Sequence, residues 1–176
     1  RGHQTVGTGM KPYYEHKGIT IYHGDCREIL PQLPKVDLVL TDPPYGIDIA
    51  HNPFRQKHEK SDWDKEPCSR EQIDLMIESS VNQIIWGGNY FEGLFPSQGF
   101  LIWDKVQPED FSSAMCELAW TSRKRPAKMF KKWVVGYRKD HPTQKPVELM
   151  MWCIQQEDYW NIATTILDPF MGSGTT

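Results

Sequence analysis

The chain has 176 residues, 39% of them apolar, with a formal net charge of −3 and a sequence pI near 6.1. That length suits one domain, no apolar run is long enough to cross a bilayer, and no signal-peptide pattern is visible. Seven Trp, seven Tyr and seven Phe supply large surfaces to bury, while Cys26, Cys68, Cys116 and Cys153 are spaced too widely for a metal knuckle. The expectation is four free thiols, a reducing cytoplasmic setting and no metal.

In chain order, residues 1–9 are polar and glycine-rich and read as an appended remnant or mobile arm, with one domain running from Met10 to Thr176. Alternation over residues 19–23 predicts a short strand that runs into Gly24-Asp25, followed by a short helix from Arg27 to Leu33 stopped by Pro34. The apolar run 36–41 is a strand. Residues 46–68 have no period and predict a long loop over an active-site mouth. Ser69 with Gln72 three residues on predicts a capped helix whose apolar face is Ile73, Met76 and Ile77. Strands are predicted at 83–86, 99–103, 117–120 and 165–168, and a helix at 146–156 with its proline in the first turn. Strands alternating with helices argue for an open, mostly parallel α/β sheet, which binds ligands beyond the carboxyl ends of its strands.

Two segments fall at such ends. The first is Asp42-Pro43-Pro44-Tyr45, directly after the strand 36–41. The Asp42 carboxylate can accept one N–H of an exocyclic amine and the Pro43 carbonyl the other, because an X-Pro-Pro segment is stiff and aims that oxygen outward. Pro44 completes the stiff turn, and Tyr45 offers a face on which a flat heterocycle stacks. Two acceptors on one NH2 pull its lone pair out of conjugation and ready it for an electrophile. The plain alternative is a proline-rich turn, yet four such residues in that order arise by chance in a chain this long roughly once in a thousand, at about 5% usage each. The second segment is Asp168-Pro169-Phe170-Met171-Gly172-Ser173-Gly174. Gly172 and Gly174 permit a tight turn with no Cβ in the way of a ligand, and a helix N-terminus beyond them would favour an anion. The string lacks the lysine and the glycine spacing of a phosphate-binding P-loop.

Between Arg123 and Lys139 stand eight basic residues and no acid: Arg123, Lys124, Arg125, Lys128, Lys131, Lys132, Arg138 and Lys139, interleaved with Phe130, Trp133 and Tyr137. Cations among aromatics suit a phosphate backbone and splayed bases. The alternative is a solvated basic loop.

These segments give the chain a specific resemblance. Asp42-Pro43-Pro44-Tyr45, the Phe170-x-Gly172-x-Gly174 loop, His141-Pro142-Thr143-Gln144-Lys145-Pro146 and Gly24-Asp25-Cys26 together resemble the amino-methylating DNA methyltransferases, over about residues 18–176. Their order, tetrapeptide first and glycine loop last, resembles the permuted beta subgroup. The resemblance implies a Rossmann-like methyltransferase sheet with circularly permuted motif order, the two motif strands side by side, and a further helix and strand after Thr176. It implies S-adenosylmethionine as cofactor, with Asp25 and Cys26 at its adenine, Thr143 and Lys145 at its carboxylate, and Asp168, Phe170, Gly172 and Gly174 forming the loop around it. Asp25 reads equally as a helix cap, and His141 takes only a positional role.

The implied activity is methyl transfer to the amine of a base flipped from double-stranded DNA. Asp42, Pro43, Pro44 and Tyr45 act at the base, and Arg123, Lys124, Lys128, Lys131 and Lys132 contact DNA within a target-recognition segment at 121–140. Adenine N6 is favoured over cytosine N4, because the adenine members usually carry Asp where many cytosine members carry Ser. A prokaryotic or phage setting with a partner restriction endonuclease goes with that reading. The competing readings are an inactive DNA-binding relative, and a methyltransferase of RNA or of a protein glutamine.

Overall fold

The computed structural model describes residues 10–47, 66–110, 114–133, 144–157, 163–172 and 174–175. The first strands, β1 (Tyr14–His16) and β2 (Ile19–Ile21), pair with each other in a separate two-stranded ribbon. Lys17 and Gly18 turn the corner with φ of 47° and 82°, the left-handed pair of a two-residue hairpin loop. Helix α1 (Cys26–Ile29) and a 3-10 turn (Leu30–Gln32) lead to β3 (Val36–Thr41). Then follow α2 (Arg70–Glu78), β4 (Ser80–Trp86), β5 (Phe100–Asp104), β6 (Cys116–Thr121), β7 (Lys128–Lys131), α3 (Val147–Glu157) and β8 (Ile166–Leu167).

The main sheet has six described strands in the order β7-β5-β6-β4-β3-β8. Strand β3 is parallel to both β4 and β8, and β5 to β7, while β6 runs antiparallel to β4 and β5. Strand β3 is therefore central to its half of the sheet, and its neighbour β8 is the strand that feeds the glycine loop, as the resemblance implies.

Both faces of the sheet are apolar, which explains why Leu38-Val39-Leu40 of β3 and Ile84-Ile85-Trp86 of β4 are consecutive apolar residues rather than alternating ones. Leu38, Leu40, Ile84 and Trp86 point to one face and pack with Leu149, Met150 and Cys153 of α3. Val39 and Ile85 point to the other and pack with Ile73 and Met76 of α2. Helix α2 starts where Ser69 predicts: its hydroxyl accepts from Gln72 N, while the Gln72 amide oxygen accepts from Ser69 N at 2.8 Å. Helix α3 begins at Val147, with the Pro146 carbonyl accepting from Leu149 N and Met150 N. No described helix is long and apolar enough to cross a membrane, and all four cysteines are free thiols.

The structure corrects three expectations. The strand near residue 19 lies outside the main sheet, because its ribbon is exposed on both faces and buries nothing against it. Within the basic segment, where no strand is expected, residues 128–131 form edge strand β7 beside β5. The helix expected at 27–33 splits into α1 and a 3-10 turn, because Pro31 stands at the start of the second piece.

Asp37 locks β8 onto β3. Its Oδ2 accepts from the backbone N and hydroxyl of both Thr164 and Thr165, at 2.8–2.9 Å, and these bonds hold its carboxyl below the ordinary range. A folded-state pKa below the unfolded one adds stability above the unfolded value, and that stability is lost as pH falls through the folded value. Asp37→Ala is therefore expected to lower stability at pH 7 by about 1 kcal/mol. In urea unfolding the gap between variant and parent should close as pH is lowered below the ordinary Asp range.

Candidate active site

Strand β3 ends at Thr41, a fully buried residue whose hydroxyl donates to Asp168 Oδ1 at 2.6 Å. The same oxygen accepts from Phe170 N at 3.0 Å, so one carboxylate orders the turn after β8 and ties it to the end of β3. Gly172 and Gly174 follow with φ of 52° and 76°, and a Cβ built on either would meet no atom closer than 3.7 Å. The loop thus keeps open space around a left-handed backbone, the form a ligand-approaching turn needs.

The tetrapeptide stands one residue beyond β3. Its two proline carbonyls differ: that of Pro44 accepts from Cys68 N at 3.0 Å, whereas that of Pro43 takes no hydrogen bond from another described residue. The Tyr45 ring stacks on Tyr90, with centroids 5.0 Å apart and planes 14° from parallel, and meets Phe91 edge-on. Gly87 lies against the same ring at φ +73°, where a Cβ would fall on the ring atoms. Tyr90 keeps 47% of its surface exposed.

A buried charge network surrounds Asp42. The Tyr45 hydroxyl donates to Asp42 Oδ1 at 2.6 Å, and Lys145 Nζ lies 2.6 Å from the same oxygen. Lys145 also reaches Glu117 Oε2 at 3.0 Å and the Tyr45 hydroxyl oxygen at 3.1 Å. Glu117 Oε1 in turn lies 2.6 Å from Lys105 Nζ. The Lys145 ammonium stands 5.3 Å from the Trp86 ring centre, within cation–π range. Four segments thus converge here: the end of β3, the residue after β5, strand β6 and the approach to α3.

Burial raises the Asp42 carboxyl above the ordinary range, and the neighbouring Lys145 ammonium opposes that rise. Burial would raise Glu117 as well, yet Lys145 and Lys105 hold it down at about 2. Burial works against the Lys145 charge, but Asp42 and Glu117 keep it above the ordinary lysine value. Tyr45 is pushed well above the usual phenol range, first by burial and then by the Asp42 charge. Its hydroxyl therefore stays a donor.

Lys145, which the resemblance implies at a cofactor carboxylate, lies beside the tetrapeptide. Its side chain is only 3% exposed, and its ammonium faces Asp42, Glu117 and Tyr45. Asp25 is a helix cap: its Oδ1 accepts from Arg27 N at 2.9 Å, both oxygens engage the Arg27 guanidinium, and these bonds hold it at about 2. Cys26 opens α1, and its sulfur accepts from Gln72 Nε2 at 3.5 Å. Thr143, His141, Tyr137, Arg138 and Lys139 lie outside the described residues, as does most of the expected loop at 46–68. Among the cations, Lys124, Lys128 and Lys131 are exposed and Arg123 is half-buried. Arg125 donates to the Gln156 carbonyl at 2.5 Å, and Lys132 pairs with Glu148 at 2.7 Å.

Sequence reasoning missed Glu117, Lys105 and Tyr90. The one signal for Glu117 was an acid at the head of an otherwise apolar strand, which stays buried only when paired.

A mixed α/β sheet with these two loops at adjacent strand ends is a Rossmann-like methyltransferase sheet. Residues 102–176 match the DNA methylase (N6/N4) family. The chain is 31% identical over 103 residues to the Type II methyltransferase M.ScaI of Streptomyces caespitosus, a match spanning 54% of this chain and 32% of that protein. It is 26% identical to the "Putative methylase YubD" of Escherichia coli (strain K12), over 87% of this chain and 75% of that one. It is also 23% identical to the Type II methyltransferase M2.MboI of Moraxella bovis, over 95% and 81%. With the motifs and the sheet, these matches make the chain similar to the amino-methylating DNA methyltransferases.

Gly87→Ala tests how tightly the tyrosine is seated. The new Cβ must displace the Tyr45 ring, so methyl transfer should fall by about 10-fold or more, since a displacement of an ångström near the chemistry costs on that order. Urea unfolding should show the variant still folded, and an unchanged transfer rate would mean that the position of Tyr45 is not critical.

Proposed function

We propose that the chain transfers a methyl group from S-adenosylmethionine to the exocyclic amine of a base flipped out of double-stranded DNA, with adenine N6 as the acceptor. The observation that carries the reading is the pair of acceptors at the end of β3. Both bonds that Asp42 makes go to Oδ1, which leaves Oδ2 for an incoming N–H, and the Pro43 carbonyl stands ready while that of Pro44 is engaged. A paired base hides its amine inside the stack, so the base must leave the helix first. Tyr45 supplies the stacking face, and a base seated there displaces the ring of Tyr90.

Asp42 and the Pro43 carbonyl accept the two N–H bonds and turn the nitrogen lone pair outward. S-adenosylmethionine, when bound, supplies an electrophilic methyl on a sulfonium that departs as a neutral thioether. The chain's task is then positioning and exclusion of water more than acid–base chemistry. Asp42, with 26% of its side chain exposed, can take the proton that the methylated amine releases. Phe170, Gly172 and Gly174 fit the cofactor by the open left-handed turn they form, and Asp168 fits by ordering that turn. Asp25, Cys26 and Thr143 remain with the cofactor's adenine and carboxylate on resemblance alone. Residues 10–176 are taken as the catalytic unit. A restriction endonuclease of the same specificity is the partner that a type II assignment implies.

Asp42→Ala removes the acceptor that acts mainly in the transition state. Turnover on unmethylated bacterial DNA should fall by about 10²-fold or more, with S-adenosylmethionine affinity within a few-fold of the parent. Mass spectrometry of digested nucleosides should find N6-methyladenine. N4-methylcytosine would assign the other amine, and no methylated amine at all would refute the activity.

The exposed cations Lys124, Lys128 and Lys131 are the proposed backbone contacts, within the recognition segment that also holds Arg123 and Lys132. Neutralising the three together should flatten the dependence of log K on log salt by about 0.9 for each phosphate the chain ceases to touch. An unchanged slope in a DNA-binding titration would place the duplex elsewhere.

A further inference from the structure

We infer that Lys145, braced by Glu117, is the positioning residue that fixes Asp42 as a one-sided acceptor and presents its second oxygen to the target amine. The inference rests on the proposed amine methylation and extends it to residues that touch neither base nor cofactor.

The geometry leaves Lys145 little else to do. An ammonium has three N–H donors, and Lys145 has three oxygens around it: Asp42 Oδ1 at 2.6 Å, Glu117 Oε2 at 3.0 Å and the Tyr45 hydroxyl at 3.1 Å. With 3% of the side chain exposed, no donor remains for a cofactor carboxylate. Lys145 and Tyr45 grip the same Asp42 oxygen, so the carboxylate cannot spin about its own bond and offer either face. Glu117 is itself held by Lys105 at 2.6 Å, and its grip keeps Lys145 from following Asp42 if that side chain swings toward solvent.

The charges alternate as Asp42 negative, Lys145 positive, Glu117 negative, Lys105 positive. The cluster is thus neutral as a whole, the condition under which buried charges persist. Trp86 closes one side of the ammonium at 5.3 Å, and Tyr45 is the remaining titratable neighbour. If Lys145 is removed, Asp42 and Glu117 face each other as like charges in a buried site. Asp42 then holds its proton to higher pH and becomes a donor where an acceptor is required.

The test uses the full chain on unmethylated bacterial DNA, with kcat/KM followed against pH for the parent, Lys145→Met and Lys145→Arg, and with S-adenosylmethionine affinity measured by calorimetry. For Lys145→Met, turnover should fall by about 10²-fold, and the acid limb of the profile should move to higher pH by about one unit or more. Cofactor affinity should stay within about threefold, a change of under 1 kcal/mol. Lys145→Arg, which keeps the charge, should restore the limb to its parent position.

An unmoved acid limb, or cofactor affinity weakened tenfold or more, would overturn the inference and return Lys145 to the cofactor. If Lys145→Met fails to fold by circular dichroism, Glu117→Gln decides. Loss of a like charge near Asp42 should move the limb to lower pH, and an unmoved limb there overturns the inference as well. A parent chain that transfers no methyl to DNA is a separate result: it removes the amine-methylation reading, and the inference falls with it.

Discussion

The ion pair between Lys145 and Asp42, 2.6 Å long and almost closed to water on the lysine side, is the interaction on which the candidate site depends. A carboxylate placed at the end of an apolar strand and backed by aromatic rings tends to take up a proton. Here an ammonium, itself stabilised by Glu117 and by the Trp86 ring, opposes that tendency. Because the tetrapeptide comes from β3, Glu117 from β6 and Lys145 from the approach to α3, the pair also joins three segments that are distant in sequence. Buried ion pairs of this kind contribute little net stability when compared with apolar packing. Their effect is to make one arrangement of the chain ends far better than its neighbours.

The sheet brings the rest within reach. Strand β3 lies between β4 and β8, and the Thr41–Asp168 bond at 2.6 Å fixes the tetrapeptide beside the glycine loop. The Asp37 latch at the other end of β3 sets the same register from below. Two side-chain anchors therefore hold the strands that carry the two motifs, one at each end of a short two-residue pairing. This arrangement sets Asp42 and Pro43 at the end of β3 beside the turn that holds Gly172 and Gly174, the adjacency that the proposed methyl transfer requires.

Much of this was legible in the residues. The largely apolar run at 36–41 marks β3 from its first residue to its last, and Ser69 with Gln72 marks the capping box of α2, because both signals are local. The tetrapeptide and the glycine loop were legible for the same reason, since each carries its chemistry in consecutive residues. What stayed hidden was non-local. Glu117 and Lys105 gain meaning only when β5 and β6 pair and bring them to Lys145. Lys145 itself, met beside Thr143, looked like a cofactor contact because its neighbours in sequence suggested one. Residues 128–131 carry too few apolar residues between Lys128 and Lys131 to show a strand, though their backbone pairs with β5. The pairing of β1 with β2 left no mark in the residue pattern, because the ribbon buries neither face.

The most direct test is a pH titration of the Asp42 carboxyl by carbon-13 NMR in the intact chain. Burial should place its titration above the ordinary Asp range against the pull of Lys145, and the proposed methyl transfer requires the ionised form, which can only accept. A carboxyl that remains protonated at pH 7 would donate a proton where the target amine needs an acceptor, and would contradict the central role of the Lys145–Asp42 pair.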